Sequence, residues 1–550
     1  MTYSHLLDTL TCVFSRPFDR RARATVIATP RSRCTTAGQR LLRCVLSTAL
    51  AVVLASSAVA QGAVVQYVSQ GAPGSDDGSS WTDAFTTLER GLDPNTNIQL
   101  QLGNSVELRL RNDTYVPDGN LRFPSGSPDP RHGCFLVTDN THVRGGWSGS
   151  ELGTDPPTGG YAILCGDMGT ADNNTDNNYH VVVMQTLQNG LQIQLESVKI
   201  VEGFADGALF GGSLTNDSSG GGILINSAFV LLTDVIVMDC FGRFGGGIAA
   251  LHDTLVSAST RLEMKWSTVR DNLAEVGGGG IYIDQHVGGH IANSVIRGNG
   301  GPTDGGGIML AEDVTDFVIT STSVFDNKCR NRGGGIFTDG PSSGTTSAIV
   351  FVNLTVTHND AASGVGVYYA SPNGGTAVRE CDNTILFDNP SGLLGNDDNF
   401  VLMPSNTFQG YNSFVGGRVN TIMPFIAPGG VFIDADNTGE SPGWANPTAR
   451  NFRLKFSSVC IDQGSDGELW DDTTDVDIDG NIAESSPRDL YKPDLQSLPA
   501  SISTREVNVP GAGTLPQGHP QGIGVDSGNV PGAICDIGAF EHRIVNISPG

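Results

Sequence analysis

The stretch Gly305-Gly-Gly-Ile308, followed at residues 322–327 by Thr-Ser-Val-Phe-Asp-Asn, contains the two phrases that decide the fold. The first phrase occurs five times, at spacings of 25, 33, 27 and 28 residues, and ends at Ile223, Ile248, Ile281, Ile308 and Ile336. The second is a short apolar run closed by asparagine, with spacings of 27, 28, 32 and 30 residues between Asn272, Asn299, Asn327, Asn359 and Asn389. Two interleaved phrases with a shared period of about 30 residues indicate a repeat architecture.

The residues between these phrases have the composition of short strands. β-branched runs, for example 229–237, 317–319 and 348–352, are bounded by Gly, Asn, Asp or Ser, which is typical of strands and turns. Two-residue hairpin turns are largely absent, so local hairpins do not explain the pattern. We therefore predict an all-β fold, a right-handed parallel β-helix with three strands per coil and roughly ten to twelve coils, over residues 96–445.

Stacked coils give each phrase a physical reason. Equivalent residues of successive coils lie about 4.8 Å apart, so we expect the five asparagines to form an internal ladder in a left-handed turn. Ligand binding by these amides is the alternative. Glycine triplets are typical of corners with positive φ and closely approaching backbones, and the isoleucine after each triplet is expected to point inward and stack.

The ends of the chain differ from the repeats. Residues 1–60 contain eight arginines and two aspartates, then a small-apolar run over 44–55 and Ala58-Val-Ala60, which predicts a secretory signal peptide and an extracellular or cell-surface protein. The run is shorter than the ~20 residues of a membrane span, so no integral span is expected.

Residues 61–95 are predicted to form the N-terminal strand and a capping helix. Phe85, Leu88 and Leu92 would share one face of that helix and close the first coil, because an open end exposes strand edges. Trp81 is interpreted as part of this plug, with a sugar-binding platform as the alternative. Residues 446–542 are expected to form a compact C-terminal module, followed by a tail at 543–550.

Charge restricts the partners. The full chain has a formal net charge of −26, and since the leader contributes +6, the remainder carries −32. Such a surface repels nucleic acid and anionic membranes and favours divalent cations and neutral or cationic partners. Export permits disulfides, and Cys134–Cys165 and Cys460–Cys535 are candidate pairs. Small buried thiols that fill the repeat core are the favoured interpretation, and the seven cysteines after residue 60 leave at least one unpaired.

The order of several short motifs resembles bacterial secreted proteins with pectate-lyase-like β-helix repeats and a C-terminal choice-of-anchor Q module. The resemblance covers most of the chain after the leader and is carried by Tyr67-Val68, Asp77-Gly78, Trp81-Thr-Asp-Ala-Phe85, Val143-Arg-Gly-Gly-Trp147, Ile163-Leu-Cys-Gly-Asp167, Asp176-Asn-Asn-Tyr-His180, Phe452-Arg-Leu454, Cys460-Ile-Asp462, Asp477-Ile-Asp479 and Asp536-Ile-Gly-Ala-Phe540. The Gly-Gly-Gly-Ile and Asn phrases are also similar to repeats of chlamydial polymorphic outer-membrane proteins, which are adhesins. These resemblances imply an exported β-helix.

One stretch has the pattern of a cation site. Asp475, Asp477, Asp479 and Asn481 alternate and enclose Gly480, which is how a Ca²⁺ loop begins. The alternative is a solvated acidic turn, and no cofactor other than Ca²⁺ is expected. Acids also follow the glycine phrase at Asp253, Asp284, Glu312-Asp313 and Asp339, where they would stack along one edge as hydrated turn residues or around a cation.

Two function classes remain open. The leading hypothesis is a monomeric, non-enzymatic surface or extracellular protein with an adhesive, glycan-contacting or structural role. Its partner would be a glycan or a cell-surface protein, and not nucleic acid. The alternative is a polysaccharide lyase or glycoside hydrolase, since the resemblance implies a fold used by such enzymes. A lyase would use Lys328, Arg330 or Arg332 as base near Asp326.

Overall fold

The computed structural model describes residues 63–454, apart from 118–128, 152–154, 171–172, 187–191, 208–215, 254–259, 383, 388, 390–397, 404–405, 412, 416–417, 422–432 and 435–440. The predicted signal peptide (1–60), the Ca²⁺ candidates Asp475, Asp477, Asp479 and Asn481, the Cys460–Cys535 pair, the tail and all of the C-terminal module beyond residue 454 lie outside the described residues. Of the residues described, no helix is long and apolar enough to cross a membrane.

Three long parallel sheets dominate the fold. Sheet A has eleven strands: Val64–Val68, Val106–Arg111, Thr141–Trp147, Gln192–Glu196, Phe229–Thr233, Arg261–Lys265, Gly288–Ala292, Phe317–Thr320, Thr346–Val352, Thr376–Asp382 and Asn406–Tyr411. Sheet B also has eleven: Thr114–Tyr115, Ala162–Cys165, Val198–Val201, Ile236–Met238, Thr268–Arg270, Val295–Arg297, Ser323–Phe325, Thr355–Thr357, Ile385–Phe387, Phe414–Val415 and Ile433–Asp434. Sheet C has ten: Phe135–Val137, Val182–Gln185, Ile223–Asn226, Ile248–Leu251, Ile281–Ile283, Ile308–Leu310, Ile336–Thr338, Val367–Tyr369, Asp398–Leu402 and Arg418–Thr421.

Smaller elements flank these sheets. A three-stranded parallel sheet contains Phe204–Ala205, Phe241–Phe244 and Leu273–Gly277. Trp444–Asn446 and Asn451–Leu454 pair antiparallel around the 3₁₀ turn Pro447–Ala449, and we call residues 444–454 the hairpin. Two short α-helices, Leu88–Leu92 and Ile98–Gln101, and two further 3₁₀ turns, Pro130–His132 and Asn174–Asp176, complete the described elements.

Strand order confirms the predicted fold class. Each coil contributes one strand to sheets A, B and C in turn, and each strand pairs in parallel with its counterpart in the next coil. The chain is therefore a parallel β-helix with three strands per coil. The stack begins before residue 96, because Val64–Val68 already pairs in register with Val106–Arg111.

The N-terminal helix covers apolar residues of the first coils. Leu88–Leu92 begins at the N-cap Thr87, whose side chain accepts a hydrogen bond from the amide of Arg90. The helix is shorter than the apolar spacing suggests, since Phe85 instead forms a bridge with Val68. Phe85, Leu88 and Leu92 are all buried.

Trp81 lies against this N-terminal region. Its ring centroid is 4.7 Å from that of Tyr67, and its Nε1 donates to the carbonyl oxygen of Glu151 at 3.0 Å. One polar edge of the indole is therefore already engaged within the protein.

The glycine phrases place isoleucines in one interior row. Ile223, Ile248, Ile281, Ile308 and Ile336 pair directly with one another along sheet C and are fully buried. Each of the three positions in a triplet requires glycine for a different structural reason. In 305–307, Gly305 has a φ of +65°, a Cβ on Gly306 would lie 2.5 Å from the carbonyl oxygen of Gly334, and one on Gly307 would lie 3.0 Å from the amide of Asn327.

The asparagine phrases form a hydrogen-bonded row. From Asn272 to Asn389, each Nδ2 donates to the Oδ1 of the next asparagine at 3.0 Å, through Asn299, Asn327 and Asn359. The same Oδ1 atoms accept the backbone N–H of the preceding asparagine, and each Nδ2 also donates to a strand carbonyl such as that of Ile296. All five side chains are buried.

The expectation that these asparagines adopt the left-handed conformation is wrong. Positive φ belongs instead to the residue before each of the first four, namely Asp271, Gly298, Asp326 and His358, with values between 56° and 64°. The reason is that the chain turns the corner one residue before each asparagine. The asparagine side chain therefore points inward to the row, and the side chain of the corner residue points away from it.

The five described cysteines are buried and none of them forms a disulfide, namely Cys134, Cys165, Cys240, Cys329 and Cys381. The proposed Cys134–Cys165 disulfide is therefore wrong. Cys240 instead occupies the ladder position before Asn272, where its N–H donates to the Asn272 Oδ1. Burial raises the thiol pKa of Cys165, Cys240, Cys329 and Cys381 to about 12.

These thiols should be inert in the folded protein. Because the thiolate is the nucleophile, a pKa of about 12 leaves almost none of it at neutral pH. We expect iodoacetamide to label Cys240, Cys329 and Cys381 only after denaturation, as measured by peptide mass spectrometry with and without urea. Rapid native labelling of Cys240 would contradict this account.

Candidate functional site

A cavity of about 670 Å³ lies between sheet B and the hairpin. Its wall is formed by Arg297, Phe325, Asp326, His358, Pro447, Thr448 and Arg450. The hairpin contacts the coils through Phe452, whose ring centroid is 5.1 Å from Phe325 and 5.2 Å from His358. Trp444 packs on the same ring at 5.5 Å.

The repeat geometry positions the coil side of this cavity. Arg297 and Phe325 pair directly in adjacent strands of sheet B, so both occupy the same outward row. Asp326 and His358 are the left-handed corner residues, with φ of 56° each, that precede ladder asparagines. The outward row and the corners of the coils therefore bring Arg297, His358, the carboxylate of Asp326 and the ring of Phe325 together.

The single carboxylate of the cavity wall is already paired. Arg450 Nε lies 2.6 Å from Asp326 Oδ2, which joins the hairpin to the coils by an ion pair as well as by Phe452. Both side chains are about one-third exposed, so solvent screens this pair and its contribution to stability is small.

Arg297 is the wall cation that keeps its hydrogen-bonding capacity. Among the described residues, no group lies within hydrogen-bond or ion-pair distance of its guanidinium. Partial burial lowers the pKa of Arg297, while the nearby carboxylates of Asp271 and Asp326 act in the opposite direction. A guanidinium stays charged at neutral pH, and Arg297 therefore presents a cation and free N–H donors.

The residues suggested for a lyase are not brought together. Lys328 Nζ pairs with Asp360, its side chain is 70% exposed, and it does not line the cavity. Asp326 faces Arg450 instead. Arg332 donates to Asp304 through Nε and Nη2.

The acids that follow the glycine phrase do not stack. Asp284, Ala311 and Asp339 occupy equivalent positions in three successive coils, so an alanine separates the carboxylates. Tyr282 donates to Asp284, and burial raises the pKa of that carboxyl. In the part of the chain that the structure describes, no group of three His, Cys, Asp or Glu residues could hold a metal ion.

The described wall of the cavity holds one carboxylate and several hydrogen-bonding side chains. Glycoside hydrolysis by paired carboxylates needs two of them on either side of the scissile bond, whereas the described wall has Asp326 alone. Arg297, Thr448 and His358 can form hydrogen bonds, and Pro447 supplies apolar surface, whereas Phe325 is almost fully buried and packs against Phe452. Five of the seven lining residues are polar or charged, so the wall suits a hydrophilic ligand better than an apolar one.

Sequence reasoning did not find this cavity. Asp326 and Arg450, which join its two walls, are 124 residues apart in the chain, and the hairpin does not follow the 30-residue period. The outward row of Arg270, Arg297 and Phe325 in successive coils was the available signal, but it does not reveal what covers it. No protein-family model matches the chain, and no curated protein is similar to it.

Proposed function

We propose that this chain is an exported cell-surface or extracellular protein that contacts a glycan and does not cleave it. The cavity beside the hairpin carries the proposal, because it combines the hydrogen-bonding side chains of Arg297, His358 and Thr448 with the apolar surface of Pro447. The predicted signal peptide at residues 1–60 supports export. The resemblance to pectate-lyase-like repeats with a choice-of-anchor Q module supports the same extracellular setting.

The cavity also gives the proposal its physical scale. Its volume of about 670 Å³ accommodates one or two sugar rings rather than a protein domain, since small-molecule sites enclose roughly 300–1,000 Å³. Thr448 is exposed at the hairpin and lines the wall, so a ligand can reach the cavity from solvent.

The test is a panel of extracellular polysaccharides incubated with the protein without its leader, with and without calcium. We expect retention of one or more glycans in affinity electrophoresis, with no new reducing ends and no unsaturated sugar products. Thr448→Trp should fill the cavity and weaken binding by about tenfold or more, because it removes the volume that the sugar occupies.

The matched control is Thr346→Trp, the same exchange at an exposed residue of sheet A that does not line the cavity. It should leave binding unchanged. Formation of new reducing or unsaturated ends, lost in Thr448→Trp, would replace this proposal with the enzymatic alternative. Equal binding by both variants would place the glycan elsewhere on the protein.

A further inference from the structure

The charge of the cavity is opposite to that of the chain. Two arginines, Arg297 and Arg450, face one carboxylate, Asp326, so the described wall carries a net charge of +1 before any protonation of His358. The whole chain has a formal net charge of −26. A cationic cavity in so acidic a protein needs a reason beyond average composition.

The position of Arg297 concentrates that charge on one side chain. Arg450 is occupied by Asp326 at 2.6 Å, and one coil earlier in the same row Arg270 is occupied by Asp271. Arg297 has no ion-pair or hydrogen-bond partner for its guanidinium among the described residues. The corner beside it is Gly298, where a Cβ would lie 2.4 Å from Asp271 Oδ1, so no corner side chain lies between Asp271 and Asp326.

The surroundings set an upper limit on the ligand's charge. The corner residues in this region include Asp239, Asp271 and Asp326. Asp271 and Asp326 are paired with arginines, but the excess carboxylates of a chain with a formal net charge of −26 still repel anions over about 10 Å at 0.1 M salt. A contiguous polyanion would place its other charges against these carboxylates. A single anionic group on an otherwise neutral glycan would contact the Arg297 guanidinium without placing further negative charges near the carboxylates.

We infer that the cavity recognises a glycan through one isolated anionic substituent, a carboxylate or a sulfate ester, bound by Arg297. The planar guanidinium offers paired N–H donors that match either group. Pro447 would contact the uncharged part of the ring. This inference rests on the proposed function and names the ligand class of the same cavity.

The experiment compares D-glucuronate and glucose 6-sulfate with glucose, by saturation-transfer NMR titration of the full chain without its leader. We expect at least one anionic sugar to bind about tenfold more tightly than glucose, as for a charge-assisted hydrogen bond. Arg297→Gln should abolish this preference. Arg270→Gln, in the same row but already paired with Asp271 and outside the cavity wall, should keep it.

Salt dependence adds an independent readout. Raising the ionic strength should weaken binding of the monoanionic sugars and strengthen binding of a homopolymeric polyanion, because screening removes attraction in one case and repulsion in the other. Equal affinity of all three sugars, or a preference that survives Arg297→Gln, would overturn the inference. If the protein binds a neutral glycan and Thr448→Trp weakens that binding, the proposed function stands and the inference of an anionic ligand is overturned.

Discussion

Asn327→Ala should destabilise the protein by about 3–5 kcal/mol, since a buried polar network loses a central member. The Asn327 Oδ1 accepts from the N–H and the Nδ2 of Asn299, and its Nδ2 donates to Ile296 O and to Asn359 Oδ1. The residue is fully buried. An alanine therefore leaves several groups without partners where water does not replace them. Urea denaturation followed by circular dichroism measures the loss.

Asn331→Ala is the matched control for this substitution. Asn331 is exposed, and its described hydrogen bonds are made by its backbone, whose N–H donates to Thr303 O and whose carbonyl oxygen accepts from Ser363 N–H. The change should stay within about 0.5 kcal/mol. Similar denaturation midpoints for both variants would mean that the ladder does not stabilise the coils.

Gly306→Ala should cost about 3 kcal/mol or more, because the added methyl group meets only backbone. Its Cβ would lie 2.5 Å from Gly334 O and 2.7 Å from both the N and the C of Lys328. Backbone atoms of adjacent coils cannot move apart without breaking sheet hydrogen bonds, so the strain exceeds that of a clash with a flexible side chain. The free energy of unfolding in urea is again the measurement.

Gly300→Ala should not destabilise the protein. A Cβ there would lie 3.5 Å from Lys328 O and 3.6 Å from Leu273 Cδ1, which are ordinary contacts, and its φ is not positive. Replacing glycine at such a site restricts the unfolded chain, so stability should be unchanged or rise by up to about 1 kcal/mol. Equal destabilisation by both alanines would contradict the close approach of coils at the glycine triplet.

The repeat fold could be predicted because its signals are strictly local. The triplet ending at Ile308 and the run ending at Asn327 recur with one period, and stacking requires that equivalent residues meet. The same logic did not identify which residue takes the left-handed conformation. Asp326 and Asn327 both tolerate it, and only the hydrogen bonds of the folded coil decide between them.

A second polar row was hidden for a different reason. The hydroxyls of Ser267, Ser294 and Thr322 each accept a backbone N–H from the preceding coil. Serine and threonine occur in so many contexts that their recurrence does not stand out. The cavity was harder still, because the hairpin that forms one wall is not part of the repeat.

The most direct test of the central claim is a crystal structure with an oligosaccharide that carries one glucuronate residue. We predict density for the acidic sugar between sheet B and the hairpin, with its carboxylate on the Arg297 guanidinium and its ring near Pro447. Density on the outer face of sheet A or sheet C, with the cavity holding only solvent, would contradict the account.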